Sequence, residues 1–150
     1  MKKIFLTVIA LFIFVPFSFA EEKFSVSHEK EFGGVIIHCT INDFNSLGYE
    51  YGDSLNFNFS NGQKLEDIPY YNGYYSEIGS LLLLAYPGGK NVLLKKNLGS
   101  DIWGDLSLNE NDFVLVSLNS KGKYKNIQEA RNLQYSNDRS KYSSDEEFSN

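Results

Sequence analysis

The residues best suited to chemistry are His38 and Cys39, which follow a β-branched run at residues 35–37. A cysteine in this setting is typical of enzymes whose thiolate attacks phosphorus, while backbone N–H groups and an arginine six positions later hold the phosphate oxygens. Asn45 stands at the arginine position, and Asn42 stands where the loop glycine belongs. Since neither charge neutralisation nor a bidentate grip is available, we predict a strand cysteine in or near the core and no catalytic residue.

The residues that could bind a metal ion lack the spacing of a metal site. His28 and His38 have no ligand-spaced partner, and the chain's single cysteine cannot make a structural zinc site. Near the C-terminal end, Asp138 and residues 145–147 do not follow a calcium loop and lack its central glycine. Residues 88–90, Gly-Gly-Lys, lack the glycine spacing and the hydroxyl residue of a phosphate loop. We therefore predict no metal site and no cofactor.

Four tyrosines form the best candidate binding surface. Tyr70, Tyr71, Tyr74 and Tyr75 surround an Asn-Gly turn at residues 72–73. Neighbours in an extended chain point to opposite sides, so these side chains cannot all face a core. Exposed tyrosine is a rigid contact for a protein, a peptide or a carbohydrate, and we predict these four residues as ligand-binding. The alternative is a tyrosine-lined core with hydroxyl groups at its edge.

Strands are the main elements that must position these residues. Apolar residues at 55, 57 and 59 alternate with polar ones, which predicts a half-buried strand, and Asn61-Gly62 predicts a hairpin turn into a return strand carrying Leu65 and Ile68. Apolar runs predict further strands at residues 35–41, 81–86, 91–94 and 113–118. The 12 Phe and 10 Tyr residues supply the core, because one cysteine cannot form an intrachain disulfide.

An internal repeat indicates the fold class. Gly52-Asp53 precedes the apolar residues at 55, 57 and 59, and Asn111-Asp112 precedes apolar residues at 114, 116 and 118 with the same spacing. In such a turn the aspartate side chain bonds the backbone and starts a strand. We predict a mainly β, small barrel-like or sandwich domain over residues 21–135, with a pseudo-twofold repeat.

Helix is predicted mainly towards the C-terminal end. One turn is expected over residues 101–106 around Trp103. Asn126, with Glu129 three positions later, resembles a capping box and predicts one short helix that ends near Tyr135. Residues 136–150 are almost entirely polar and charged, which predicts a linker or a flexible tail.

The N-terminal residues predict export. Lys2 and Lys3 precede an uncharged apolar run at residues 4–14, which is too short to cross a bilayer of ~30 Å but suits a signal peptide. Ser18-Phe19-Ala20 predicts cleavage after Ala20, so that 130 of the 150 residues form a secreted or periplasmic chain. Losing two lysines takes the formal charge from −5 to −7, which disfavours nucleic acid and anionic lipid as partners. We expect no stable membrane insertion after cleavage.

Several segments carry a resemblance to a known family, namely residues 47–54, 60–62, 67–75, 85–88 and 127–139. They resemble the N-terminal module of secreted bacterial proteins that continue into a tyrosine or dual-specificity phosphatase domain. The Pro-Tyr-Tyr-Asn-Gly-Tyr-Tyr stretch is the most specific part of this likeness. The resemblance implies that a catalytic cysteine and arginine would lie beyond the end of this chain.

The same module is similar, more weakly, to the C-terminal β-barrel of the S-adenosylmethionine hydroxide adenosyltransferases. The shared pattern is Gly-Asp followed by an alternating strand. The Phe-Gly-Asn signature of those enzymes has no counterpart at residues 44–46, so the resemblance does not imply adenosyl binding.

Three functions follow as expectations. The first is a secreted, non-catalytic β-domain that acts as a binding or accessory module for an unknown protein, peptide or carbohydrate. The second is the N-terminal fragment of a secreted phosphatase whose catalytic domain is missing. The third is an envelope structural protein that associates with itself.

Overall fold

The structure is a computed structural model that describes residues 21–146, with side chains as far as residue 141. The predicted signal peptide, residues 1–20, lies outside the described residues, as do residues 147–150. The strands are β1 (Glu22–Glu29), β2 (Gly34–Thr40), β3 (Ser54–Phe59), β4 (Lys64–Tyr71), β5 (Leu81–Leu84), β6 (Asn91–Lys96) and β7 (Phe113–Ser120). The helices are α1 (Ile41–Ser46), α2 (Ile102–Asp105) and α3 (Lys125–Glu146).

The seven strands of the described chain close into a barrel in the order β1-β2-β6-β5-β4-β3-β7. Neighbouring strands are antiparallel except for β4 and β5, which are parallel. The prediction of a mainly β, barrel-like domain is therefore confirmed. The sequence analysis assigned no element to β1, although this strand closes the barrel by pairing with both β2 and β7.

The repeat appears as a pseudo-twofold axis through the barrel. Phe57 lies opposite Val116 in the antiparallel β3–β7 pair, and the two residues are 59 positions apart, the same offset that separates Asp53 from Asp112. On the β2–β6 pair, Val35 lies opposite Leu94, again 59 positions apart. A twofold rotation through these two pairs therefore exchanges β2 with β6 and β3 with β7.

Hydrogen bonds to Asp53 stabilise the turn that starts the first copy of the repeat. Its buried carboxylate accepts hydrogen bonds from the backbone N–H of Glu50 at 2.9 Å and of Gly122 at 2.8 Å, and from Lys121 Nζ at 2.9 Å. The first bond closes the turn that starts β3. The other two join that turn to the segment that follows β7.

Hydrogen bonds to Asp112 stabilise the corresponding turn of the second copy, at the other end of the β3–β7 pair. Its carboxylate accepts from the backbone N–H of Asn109 at 2.9 Å and from Ser60 Oγ, just after β3, at 2.6 Å. Each aspartate thus closes its own turn and holds the end of the opposite strand. The predicted role of the two Asx turns in starting strands is confirmed.

Aromatic rings fill the barrel, as their number in the sequence predicts. Phe44 stacks on Tyr49 with ring centroids 4.5 Å apart and meets Tyr70 edge-on at 5.1 Å. Phe44 reaches this position from α1, which begins at Ile41, the last residue of the predicted strand. The helix starts at Ile41 because Thr40 caps it, with Thr40 Oγ1 accepting the Asp43 N–H at 3.1 Å.

Helix α3 differs from its prediction at both ends. It begins at Lys125, which places Asn126 inside the first turn rather than at the cap, and it continues to Glu146 rather than ending near Tyr135. The polar segment interpreted as a tail contains neither Gly nor Pro, so the sequence offers no stop signal for a helix already started. Side chains 131–141 are all exposed, which explains why the segment carries no apolar periodicity.

Replacing Asp53 by alanine should destabilise the barrel by roughly 3 kcal/mol, because it leaves two backbone N–H groups and a lysine without their buried acceptor. Urea unfolding of a chain that comprises residues 21–150 measures this loss. Asp112→Ala is the matched control and should lose less, because this carboxylate is more exposed. A loss of less than about 1 kcal/mol in Asp53→Ala would contradict the stabilising role assigned to Asp53.

Candidate functional site

A cleft opens where β4 and β5 separate. Their parallel pairing is limited to Tyr70 opposite Leu83 and Tyr71 opposite Leu84, and the residue before them, Pro69, has no N–H to donate to a ladder. The resulting space has a volume of about 460 Å³. It is lined by residues 67–69 and 71 of β4, 75–77 and 80 of the following loop, Leu81 of β5, Tyr124 just before α3, and Ile127 in the first turn of α3.

Three tyrosine rings form one wall of this space, which we call the tyrosine cleft. The ring of Tyr71 lies 5.7 Å from that of Tyr75, at an interplanar angle of 59°, and 6.2 Å from that of Tyr124, at 70°. Burial raises the pKa of Tyr71 to about 12 and also raises the pKa values of Tyr75 and Tyr124. All three therefore present neutral hydroxyl groups at physiological pH.

The start of α3 is fixed against the barrel, which holds Tyr124 in the cleft. The Tyr124 N–H donates to Gly52 O at 2.7 Å, and the Gly52 N–H donates to Tyr70 O at 2.7 Å. Gly52 has φ +94°, and a Cβ atom there would lie 2.5 Å from the Lys125 Cα. Only glycine allows this approach, so the Gly-Asp pair of the repeat positions the helix as well as the strand.

The loop after β4 is held by side chains from α3. Gln128 is buried; its Nε2 donates to Asn72 Oδ1 at 2.6 Å and its Oε1 accepts the Asn72 N–H at 3.3 Å. Further along, Tyr75 donates its hydroxyl hydrogen to Asn132 Oδ1 at 3.0 Å. These contacts join the two sides of the tyrosine cleft, so it is formed before any ligand arrives.

Asp67 contributes a fixed negative charge to the cleft. It sits in the left-handed region with φ 58°, and its carboxylate accepts from Ser54 Oγ at 2.6 Å, Tyr124 Oη at 2.8 Å and Lys123 Nζ at 2.7 Å. The bonds from Lys123 and Ser54, the two largest causes, lower the pKa of Asp67 to about 2. The group is ionised at every pH at which the protein would function.

Ser76 brings an unsatisfied polar atom to the same cleft. Its Oγ is buried and has no hydrogen-bond partner in the described part of the chain. The rest of the residue is anchored, since the Ser76 carbonyl oxygen accepts from Asn97 Nδ2 at 2.7 Å. A buried hydroxyl of this kind ordinarily has a donor or an acceptor as partner, and Ser76 is one of the residues that line the cleft.

The four tyrosines predicted to bind ligand are divided between three places. Tyr70 points into the barrel, where it is fully buried and donates its hydroxyl hydrogen to Asn45 Oδ1 at 2.7 Å; burial raises its pKa. Tyr71 and Tyr75 line the tyrosine cleft, while Tyr74 is exposed and lies at a different depression. Neighbouring side chains of β4 thus face opposite sides, as the period of a strand requires.

Tyr74 belongs to a second surface built from loops. This depression, of about 400 Å³, also contains Phe32 and Leu98, which are 73% and 82% exposed. Ile78, 76% exposed, lies on the neighbouring loop, which is joined to Asn97 by backbone hydrogen bonds. We call Phe32, Tyr74, Ile78 and Leu98 the apolar loop surface. Leu98 has φ 50°, a conformation that costs a leucine roughly 1 kcal/mol.

Cys39 lies apart from both surfaces. It is a partly buried residue of β2 that packs against the core, which confirms the predicted strand cysteine, and its Sγ donates to Thr40 O at 3.5 Å. Burial, and then the charges of Asp43 and Glu22, raise the pKa of the thiol and keep it protonated. Within residues 21–146 no group of three or more His, Cys, Asp or Glu side chains is placed to hold a metal ion.

The comparisons with known proteins bear on the fold alone. No family model and no curated protein matches the chain. A solved structure of an uncharacterized conserved protein from Thermotoga maritima is similar, with a TM-score of 0.54 and 20% identity over 63% of this chain. The match covers 35% of that protein's length. The resemblance to phosphatase-associated modules stays a prediction.

None of the helices in residues 21–146 combines the length and hydropathy needed to cross a membrane.

Sequence reasoning missed Asp67, Ser76 and Tyr124 as parts of the site. Tyr124 reaches Asp67 across 57 positions of the chain, so no local spacing could reveal the contact. The one usable signal was an aromatic residue next to a lysine just before a predicted helix.

Replacing Lys123 by methionine should raise the pKa of Asp67 from about 2 towards the ordinary value of ~3.9, because it removes the main hydrogen bond to the carboxylate. Carbon-detected NMR titration of the aspartate carboxyl groups measures the shift. Since the folded-state pKa is lowered, the stabilisation from Asp67 is present above pH ~4 and is lost as the pH falls towards 2. Lys125→Met is the control and should leave the Asp67 titration unchanged.

Proposed function

We propose that the mature chain is an exported, non-catalytic β-barrel domain that acts as a binding module, with the tyrosine cleft as its ligand site. The observation that carries this proposal is a cleft of about 460 Å³ walled by three tyrosine rings and fixed on both sides by hydrogen bonds. Clefts of this size with a few convergent polar groups are typical of small-ligand sites. Tyr71 and Tyr75 are the members of the predicted tyrosine set that support it.

The rigidity of the cleft favours binding. A ligand that enters a formed site does not have to order loops, so more of its contact energy appears as affinity. The contacts of Gln128 with Asn72 and of Tyr75 with Asn132 provide that order here. The ligand would be a protein, peptide or carbohydrate group that packs against tyrosine faces.

The protonation states in the cleft also favour binding over catalysis. Asp67 is held ionised and Tyr71 is held neutral, with pKa values of about 2 and about 12. A general acid or base works best with a pKa near the operating pH, and these two groups are shifted away from it. Cys39, whose thiol pKa is raised by burial, lies outside the cleft.

A ligand screen by NMR tests the proposal. The mature chain with labelled tyrosine rings is titrated with short peptides, oligosaccharides and small amines, and the rings of Tyr71, Tyr75 and Tyr124 should shift saturably with at least one class. Tyr75→Ala should weaken that ligand about tenfold or more, by loss of an aromatic contact. Tyr86→Ala, which replaces an exposed tyrosine that does not line the cleft, is the control. Saturable shifts confined to other residues would overturn the proposal.

A second candidate function is that of an envelope structural protein that associates with itself. The apolar loop surface favours it, because Phe32, Ile78 and Leu98 are more than 70% exposed and Leu98 is held there in a strained conformation. Large apolar side chains exposed on adjoining loops commonly mark contact surfaces. The occupant would be a second copy of the chain.

Sedimentation velocity across a wide concentration range tests self-association. Under this second function the mature chain dimerises, and Leu98→Gly makes it monomeric without loss of stability, because glycine adopts the positive φ freely. Leu133→Ser, an exposed leucine on α3, is the matched control and should leave the dimer intact. A mature chain that sediments as a monomer at all concentrations would exclude this function.

A further inference from the structure

We infer that the tyrosine cleft binds an alkyl chain that ends in a protonated nitrogen with N–H groups, as in a lysine or arginine side chain of a peptide or in a free polyamine. This inference rests on the proposed binding function and specifies its ligand. Four features of the cleft support it: the negative charge, the aromatic rings, the apolar lining and the hydroxyl group of Ser76, which has no partner among the described residues.

The charge of the cleft favours a cation. The carboxylates of Asp67 and Glu77 line it, and of the described side chains that line it, none is basic. Lys123 balances the charge of Asp67 from outside the lining, at 2.7 Å. Among the described residues Glu77 makes no ion pair, so one negative charge is left for a ligand.

The tyrosine wall suits the same ligand. The face of an aromatic ring attracts a cation, and this attraction strengthens when water is excluded. The ring of Tyr124 already makes one cation–π contact, since Lys123 Nζ lies 5.4 Å from the ring centroid. Tyr75, which is partly exposed, lies beside the same aromatic group, and Tyr71, 2% exposed, packs against both rings, so a second cation in the cleft would lie near aromatic rings as well as carboxylates.

The remaining lining distinguishes between kinds of cation. Ile68, Pro69, Leu81 and Ile127 give an apolar surface against which an alkyl stem can pack. Ser76 also lines the cleft, and its buried Oγ, which has no partner among the described residues, can accept a hydrogen bond from an N–H group. A primary ammonium or guanidinium group donates to it, whereas a tetraalkylammonium ion has no hydrogen to give.

Titration of the mature chain with a capped lysine, Nα-acetyl-lysine methylamide, tests the inference. Shifts of the Tyr75 and Tyr124 rings should saturate, and Nα-acetyl-norleucine methylamide, which has the same alkyl stem without the terminal ammonium group, should bind about tenfold more weakly because it lacks the charge. The trimethylated probe Nα-acetyl-Nε-trimethyl-lysine methylamide, which keeps the stem and the charge, should also bind more weakly than the capped lysine, since it has no N–H to donate to Ser76. Spermidine and a Gly-Lys-Gly peptide form the last two arms: tighter binding of the peptide identifies a polypeptide ligand, and tighter binding of spermidine identifies a free polyamine.

Single substitutions test which residues of the cleft bind the cation. Glu77→Gln should weaken the capped lysine about three- to tenfold and leave the norleucine probe unchanged, because only the charge is removed. Ser76→Ala should reduce the difference in affinity between the capped lysine and its trimethylated form. Glu110→Gln, an exposed glutamate that does not line the cleft, is the matched control and should change neither affinity.

The outcomes separate this inference from the function on which it rests. If peptides or sugars without a basic group bind the tyrosine cleft as tightly as the lysine probe, the cation inference is wrong and the binding function stands. If no probe and no member of the wider screen shifts the cleft residues, both are wrong. Equal affinity of capped lysine and capped norleucine for the cleft would overturn the inference by itself.

Discussion

The proline at position 69 is the constraint on which the site depends. Because Pro69 cannot donate a hydrogen bond, β4 pairs with β5 only through Tyr70 and Tyr71 and runs apart from it before them. A closed barrel normally leaves no gap between neighbouring strands, so this gap has to be covered. The loop after β4 and the first turn of α3 cover it, and in doing so they bring tyrosine rings to a formed cleft.

The gap is also the place where the pseudo-twofold symmetry fails. An offset of 59 residues exchanges β2 with β6 and β3 with β7, and it carries the segment of β4 onto residues 123–130. The first copy forms a strand there, and the second forms the start of α3. The tyrosine cleft lies between these two unlike segments, with Tyr71 on one and Tyr124 on the other. The repeat therefore builds the barrel, and the departure from the repeat builds the site.

Local signals predicted much of the barrel and little of the cleft. The alternation at 55, 57 and 59 and the Asn61-Gly62 turn located the β3–β4 hairpin, since both act over a few residues. Strand β1 was missed because its pairing with β2 and β7 is tertiary and only Phe24 and Val26 mark its apolar face. The end of α3 was misplaced because polarity alone does not stop a helix. The grouping of Asp67, Ser76 and Tyr124 depends on the closed barrel, which no spacing in the sequence encodes.

The central claim is that the tyrosine cleft, and not the apolar loop surface, receives the ligand. Both surfaces contain tyrosines from one short segment, and Tyr74 and Tyr75 are adjacent in the chain but lie on different surfaces. The most direct measurement is of intermolecular nuclear Overhauser effects between a bound capped lysine and labelled tyrosine rings. Effects to Tyr71, Tyr75 and Tyr124 are the predicted result. Effects confined to Tyr74, with none to those three rings, would contradict the claim.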